Sequence, residues 1–176
     1  MAAWRRFHDI ATGVGATNVT WVWCPNTEFP GSTPLGQLYP GDAYVDWTCV
    51  DVYNKGGSRW QSFSDLFTPT YQQLLRIAPS RPMMIAETSS VEEGGSKAEW
   101  ITSLLARDLP LRFPRVKAVV WFNWRINEDG ASWGWPIETS ASAEAAFAAG
   151  IAAPYYAAAG AFQIPARGFK ILPLDD

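Results

Sequence analysis

Polar side chains follow four apolar runs of the sequence, at the point where each run ends. These positions are Asn26 beyond Trp23, Asp51 with Tyr53 and Asn54, Glu87 with Thr88, and Asn123 with Trp124 and Arg125 after Trp121. Glu87 differs from the others because the four residues before it, Met83 to Ala86, carry no charge. A carboxylate at the end of such a buried strand faces a desolvation cost, so something must stabilise it.

Two interpretations of Glu87 compete. For an arbitrary glutamate at a strand end, capping of the next helix or pairing with an arginine is the better explanation. Here the neighbouring predicted strand offers Tyr53, whose hydroxyl could donate a hydrogen bond to the carboxylate and aim it. The residue types at the strand ends therefore favour acid, base or nucleophilic chemistry at Glu87.

The elements that must position these residues alternate between helices and strands. The spacing of apolar residues predicts strands over residues 18–23, 44–53, 82–87 and 116–122. It predicts helices over residues 4–14, around 70–78, from Ser96 with a Ser96–Glu99 capping box, and over about 142–149. A long Pro- and Gly-rich connection follows the first strand. Apolar strands that alternate with amphipathic helices indicate an α/β fold with a parallel sheet.

Composition excludes several classes of function. The chain has 176 residues, 48% of them hydrophobic and 18% charged, which is typical of one globular domain. A net charge of -3 without a basic stripe argues against nucleic acid as a partner. The longest apolar stretches are shorter than the ~20 residues of a membrane span, so no membrane partner is expected. The single histidine, His8, cannot build a zinc site, and we expect no metal and no cofactor.

Cysteine usage and the N-terminal segment bear on location. Cys24 and Cys49 are too few for a disulfide scaffold, so buried free thiols are the favoured interpretation, with a disulfide between them left open. The first ten residues lack the apolar run of a signal peptide. Either the protein stays inside the cell or its true start lies upstream.

Aromatic residues are abundant: 10 Trp, 9 Phe and 6 Tyr make 14% of the chain. Most would be expected in the core. The functional alternative is that some line a groove in which flat aromatic faces stack on sugar rings.

Six motifs in a consistent order carry a resemblance to a known family. They begin at Gly15 (GATNVTWVWCPN), Tyr39 (YPGDAYVDW), Asp51 (DVYN), Pro82 (PMMIAET), Gly95 (GSKAEW) and Val119 (VVWFN). Each is weak evidence alone, but their order and spacing together are specific. The chain resembles the C-terminal part of glycoside hydrolase family 26, the mannanase family of the retaining (β/α)8 clan.

The resemblance implies roles for seven residues. Glu87 stands where the family places its nucleophile, and Tyr53 where a tyrosine contacts and orients that nucleophile. The remaining five would bind substrate. Trp121 or Trp124 would supply a sugar platform, Trp23 and Asn26 would shape neighbouring subsites, and Arg125 is as consistent with a solvated loop arginine as with a substrate contact.

The resemblance also implies a partial (β/α)8 barrel. Residues 1–160 would be its C-terminal half, with about the last four strands and their helices, and residues 161–176 an irregular tail. A whole barrel takes ~250 residues. We expect the family's acid/base, a glutamate after the fourth strand, to precede this chain. A truncated gene model, a half that pairs with a second chain, and a reduced homologue are three explanations.

The implied function is hydrolysis of a β-linked polysaccharide, β-mannan first, by a retaining double displacement. Glu28, Asp51, Glu128 and Asp129 lie in or beside strand-end loops, but replacement of the acid/base by any of them is disfavoured. The isolated chain is therefore expected to be inactive. A non-catalytic, carbohydrate-binding or vestigial half-barrel is the alternative. Either way the partner is a polysaccharide or oligosaccharide, and the family implies secretion.

Overall fold

A computed structural model of the protein describes residues 1–128 and 131–156. Five helices occur in this part: α1 (Ala2–Gly13), α2 (Leu35–Leu38), α3 (Phe63–Ile77), α4 (Lys97–Ser103) and α5 (Ala141–Ile151). Six strands occur with them: β1 (Val22–Trp23), β2 (Trp47–Asn54), β3 (Met83–Ser90), β4 (Val116–Trp121), β5 (Ile126–Glu128) and β6 (Ala131–Trp133). Short 3-10 turns cover Asp42–Tyr44, Gly57–Arg59 and Ile137–Thr139, and α4 continues directly into a π-helical segment, Leu104–Arg112.

The main sheet is open and parallel. Its four strands lie in the order β1-β2-β3-β4, so each strand pairs with its neighbour in sequence. Such parallel neighbours need crossover connections, which α3 supplies between β2 and β3 and α4 with the π-helical segment supplies between β3 and β4. This confirms the predicted α/β fold with a parallel sheet. A separate antiparallel pair, β5 with β6, follows β4.

The observed elements differ from the predicted ones mainly at their ends. β1 is shorter than predicted because its ladder with β2 begins only at Val22, opposite Trp47. β3 runs on to Ser90 because its last residues pair with Val52 through Asn54. α3 begins well before residue 70, since the Ser62 hydroxyl accepts from the Asp65 N–H at 3.1 Å and caps the helix.

The helices cover one face of the main sheet and bury the core there. Strand residues Val50, Val52 and Ile85 are at most 2% exposed. They belong to one cluster with apolar residues of the helices and the connections that follow them: Phe63, Phe67, Tyr71, Leu74, Trp100, Ile101, Leu104, Leu105, Leu109 and Phe113. The amphipathic pattern predicted this face, because every third or fourth residue of α3 and α4 turns toward the sheet.

The expectation of free cysteines is wrong. Cys24 and Cys49 form a disulfide, with their Cα atoms 4.4 Å apart. The parallel register that pairs Trp23 with Thr48 brings the two following residues side by side. Only Cys49 is buried, at 1% exposure, whereas Cys24 is exposed. The predicted tail, residues 161–176, lies outside the described residues.

Candidate active site

Alternation along β2 divides its side chains between the two faces of the sheet. Val50 and Val52 face the helices, and their exposed fractions are 0% and 2%. Asp51 and Tyr53 therefore point to the opposite face, where both are half-buried. They lie at the carboxyl end of the strand, which is the edge where ligands bind in open and closed parallel sheets.

A bulge in β3 determines where Glu87 points. Met83 and Ile85 are buried in the core, so regular alternation would direct Glu87 toward the helices as well. The ladder instead shifts: Ile85 pairs with Val50, but Glu87 pairs with Asp51, so β3 advances two residues while β2 advances one. Bulges re-aim side chains in this way. Glu87 therefore shares the face of Asp51, and its side chain is half-buried.

Tyr53 holds the Glu87 carboxylate. Its hydroxyl donates a hydrogen bond of 2.6 Å to Glu87 Oε2. The Tyr53 ring packs in turn against Trp135, with ring centroids 4.9 Å apart, and against the edge of Phe122 at 5.9 Å. The structure thus brings together the two residues for which the sequence predicted catalytic and orienting roles.

Asp51 is the second carboxylate of this edge. Burial raises its pKa, and the charge of Glu87 raises it further. Its Oδ1 lies 3.9 Å from the disulfide-bonded Sγ of Cys24, and its backbone forms an isolated parallel bridge with Asn26. The disulfide and this bridge together fasten the chain after β1 beside the Asp51–Glu87 pair.

A connection from Gly134 to Thr139 contacts the site through the Trp135 ring, and Lys97 binds this connection. The Lys97 ammonium, on a side chain with 0% exposure, donates to Pro136 O at 2.6 Å, Gly134 O at 2.9 Å and Thr139 Oγ1 at 3.0 Å. Burial lowers the pKa of Lys97 to about 8, although the charges of Glu92 and Glu138 act in the opposite direction.

The predicted substrate-binding tryptophans lie in different environments. Trp23 is 6% exposed and packs against Tyr39 within the core. Trp121 is partly buried between Trp100 and Phe147, with ring centroids 6.0 and 5.6 Å away. Both rings therefore pack against other aromatic side chains. Sugar contacts by these two rings stay predictions.

The other predicted contact residues are accessible. Trp124 is 68% exposed, and Asn26 and Arg125 are exposed as well. Trp124 and Arg125 follow β4 and Asn26 follows β1, so these side chains stand at the carboxyl ends of both outer strands of the sheet. Among the three tryptophans predicted to contact sugar, only Trp124 is largely exposed.

A comparison with known families identifies the family of this chain. The sequence model of glycosyl hydrolase family 26 matches residues 3–108, which include β2, β3 and the Tyr53–Glu87 pair. The chain belongs to glycosyl hydrolase family 26.

Proteins similar to this chain are longer than it. Endoglucanase H of Acetivibrio thermocellus is 44% identical in an alignment of length 140 that covers 72% of this chain and 15% of that protein. A modular endo-β-1,4-mannanase of Cellulomonas fimi is 24% identical over 81% of this chain and 32% of its own, with a TM-score of 0.53. An engineered protein is 21% identical over 88% of this chain and 36% of its own, with a TM-score of 0.59. The chain spans about a third of these structures, and their likeness concerns the fold alone.

Among the other carboxylates considered for an acid role, Glu28 has a structural task in this family member. Its Oε1 accepts from the Leu35 N–H at 2.7 Å and its Oε2 from Gln73 Nε2 at 2.8 Å, which fastens the long connection after β1 to α3. The Leu35 hydrogen bond lowers the pKa of Glu28, and Gln73 adds to the effect. The side chain of Glu128 and all of Asp129 lie outside the described part of the structure.

Three residues of the site were not among the predicted site residues: Asp51, Lys97 and Trp135. Asp51 was visible as a strand-end carboxylate. Lys97 had a weaker signal, a cation in the first turn of a helix, where the dipole disfavours positive charge.

In residues 1–128 and 131–156, no group of three His, Cys, Asp or Glu side chains is arranged to hold a metal ion, and no helix is long and apolar enough to cross a membrane.

Proposed function

We propose that this chain is part of a retaining glycoside hydrolase that cleaves β-linked polysaccharide, with Glu87 as nucleophile and Tyr53 as the residue that orients it. The observation that carries the proposal is the 2.6 Å hydrogen bond from Tyr53 to a Glu87 carboxylate that the bulge in β3 turns away from the core. A strand-end carboxylate with its own orienting donor is what a nucleophile needs.

In the proposed reaction, a Glu87 oxygen attacks the anomeric carbon while an acid protonates the departing glycosidic oxygen. The same acid, now a base, then activates the water that releases the sugar from Glu87. We assign that second role to a glutamate outside residues 1–176, in the other half of a (β/α)8 barrel. In this proposal residues 1–160 form the half with β1 to β4, and their open sheet leaves room for the remaining strands.

Substrate contacts would come from the accessible side chains around Glu87. Trp124, with its exposed ring, would stack on a sugar, and Asn26 and Arg125 would bind hydroxyl groups. The substrate we propose first is β-1,4-mannan, which is the expectation that follows from the resemblance to family 26. A β-glucan is the second candidate, because the 44% identical relative bears the name endoglucanase.

The proposal is tested with the complete polypeptide that contains this chain. β-Mannan and mixed-linkage β-glucan are supplied in parallel, and the released ends are measured for wild type, Glu87→Ala and Glu144→Gln. Glu144 is an exposed glutamate of α5 and serves as the matched control. We expect Glu87→Ala to lose activity by orders of magnitude, because no covalent intermediate can form, and Glu144→Gln to keep it.

A 2-deoxy-2-fluoro glycosyl fluoride of the preferred sugar identifies the nucleophile directly, since it forms a slowly hydrolysed glycosyl-enzyme. Peptide mapping should find the sugar on Glu87. Turnover that survives in Glu87→Ala would eliminate Glu87 as nucleophile. Oligosaccharide binding by calorimetry without any hydrolysis, lost in Trp124→Ala, would instead support the non-catalytic alternative.

A further inference from the structure

Lys97 forms an unusual set of contacts for a lysine. It opens α4, and its ammonium lies within hydrogen-bonding distance of three successive carbonyl groups, those of Gly134, Trp135 and Pro136. The distances are 2.9, 3.3 and 2.6 Å. The chain therefore curves around one buried cation at this point.

This arrangement is costly in isolation. A buried ammonium loses its hydration, and the N-terminal end of a helix adds positive potential. The carbonyl groups and the Thr139 hydroxyl replace the lost water, and the carboxylates of Glu92 and Glu138 supply opposite charge. A segment whose only need was to stay folded could be held by backbone hydrogen bonds without a buried charge.

The segment that Lys97 binds is connected with Glu87 by two contacts, one between Trp135 and Tyr53 and one between Tyr53 and Glu87. The Trp135 carbonyl also accepts from Ser89 Oγ at 2.7 Å and from Trp121 Nε1 at 2.9 Å, so the backbone is fixed from three sides. The Trp135 ring, 3% exposed, then packs 4.9 Å from the ring of Tyr53, which donates to Glu87.

We propose that Lys97 is a positioning residue for Glu87: its ammonium holds residues 134–139 so that Trp135 supports the Tyr53 ring and thereby the direction of the Glu87 carboxylate. The inference rests on the proposed function where it concerns the reaction. Its structural part, the link from Lys97 to Glu87, can be measured without any activity.

The experiment compares Lys97→Met with Lys117→Met in the complete polypeptide. Methionine keeps the length of the side chain and removes the charge and donors, and Lys117 is an exposed lysine of β4 that serves as the matched control. Glutamate is labelled with 13C at its side-chain carboxyl, and the Glu87 signal is assigned by its loss in Glu87→Gln. We expect the Glu87 signal to move in Lys97→Met and to stay in place in Lys117→Met.

Kinetics form the second readout. We expect kcat of Lys97→Met to fall by about 10- to 100-fold with KM nearly unchanged, because a misdirected nucleophile harms the transition state more than substrate binding. A Glu87 signal that does not move overturns the proposal. So does a moved signal in an enzyme whose kcat is unchanged. If the wild type cleaves no β-glycan but the Glu87 signal moves in Lys97→Met, the proposed function is defeated and the link from Lys97 to Glu87 is supported.

Lys97→Met can fail to fold, and Trp135→Phe then tests the same link from the other side. This substitution keeps the backbone carbonyl groups that surround Lys97. It replaces the indole ring that contacts Tyr53 with a smaller phenyl ring. The same displacement of the Glu87 signal is expected, and an unmoved signal in this variant overturns the proposal.

Discussion

The two faces of the parallel sheet are stabilised in different ways. The face toward the helices is apolar and closed, and Val50 and Ile85 are both 0% exposed there. The opposite face carries a disulfide, the Tyr53–Glu87 hydrogen bond and the half-buried carboxylate of Asp51. One face therefore depends on packing, and the other on a few directed bonds, which leaves polar groups accessible for chemistry.

The largest expected effect separates two adjacent residues of β3. Ile85→Ala should lower the free energy of unfolding by roughly 4 kcal/mol, since it opens a cavity in a closed core. Met84→Ala, on the partly exposed opposite face, should cost less than about 1.5 kcal/mol. Urea unfolding followed by circular dichroism measures both. Equal losses in the two variants would mean that both faces are packed alike.

The second effect concerns the covalent bond of the opposite face. Cys24 and Cys49 are 25 residues apart, and a crosslink over such a loop contributes about 3 kcal/mol. Cys24→Ser should therefore lower the free energy of unfolding by about that amount in oxidising buffer. Because Cys24 is exposed, the substitution itself disturbs little packing.

Reductant provides the control for the disulfide. Wild type in reducing buffer should match Cys24→Ser, and Cys24→Ser should not respond to reductant. If reduction leaves wild type as stable as before, the bond does not support this face.

The face of the sheet that packs against the helices could be predicted from the sequence. Apolar periodicity follows directly from which side of a helix or strand is buried. The opposite face could be predicted only in part. Glu87 and Tyr53 were found from their strand-end positions, but alternation from Ile85 would have turned Glu87 toward the core. The bulge that corrects this depends on pairing with β2, which leaves no local pattern in the sequence of β3.

The surroundings of Glu87 were missed for a related reason. Trp135 contacts Tyr53 only because the chain returns after β5 and β6, and this contact joins residues far apart in the sequence. The disulfide needs the register of β1 with β2. Contacts between distant segments follow from the fold, so residue types and spacing alone do not identify them.

The smallest expected effect tests the electrostatics of the opposite face. The pKa of Asp51 is raised by burial and by the Glu87 charge, so its ionised form costs stability at neutral pH. As the pH falls through this raised pKa, the folded chain binds the proton before the unfolded chain does. The cost in stability is therefore lost once the pH lies below the usual pKa of 3.8, where both forms are protonated. Asp51→Asn should therefore be more stable than wild type at pH 7, by less than about 1 kcal/mol because solvent screens a half-exposed group.

The gain from Asp51→Asn should vanish below pH 3.8, and unfolding curves at pH 7 and pH 3.5 measure the difference. Asp9→Asn, which removes an exposed carboxylate of α1, should show no such gain. A part of the gain should also survive 1 M salt, because burial, the larger cause of the shift, is not screened, whereas the repulsion from Glu87 is. Equal stability of wild type and Asp51→Asn at pH 7 would mean that this face accommodates its two carboxylates without cost.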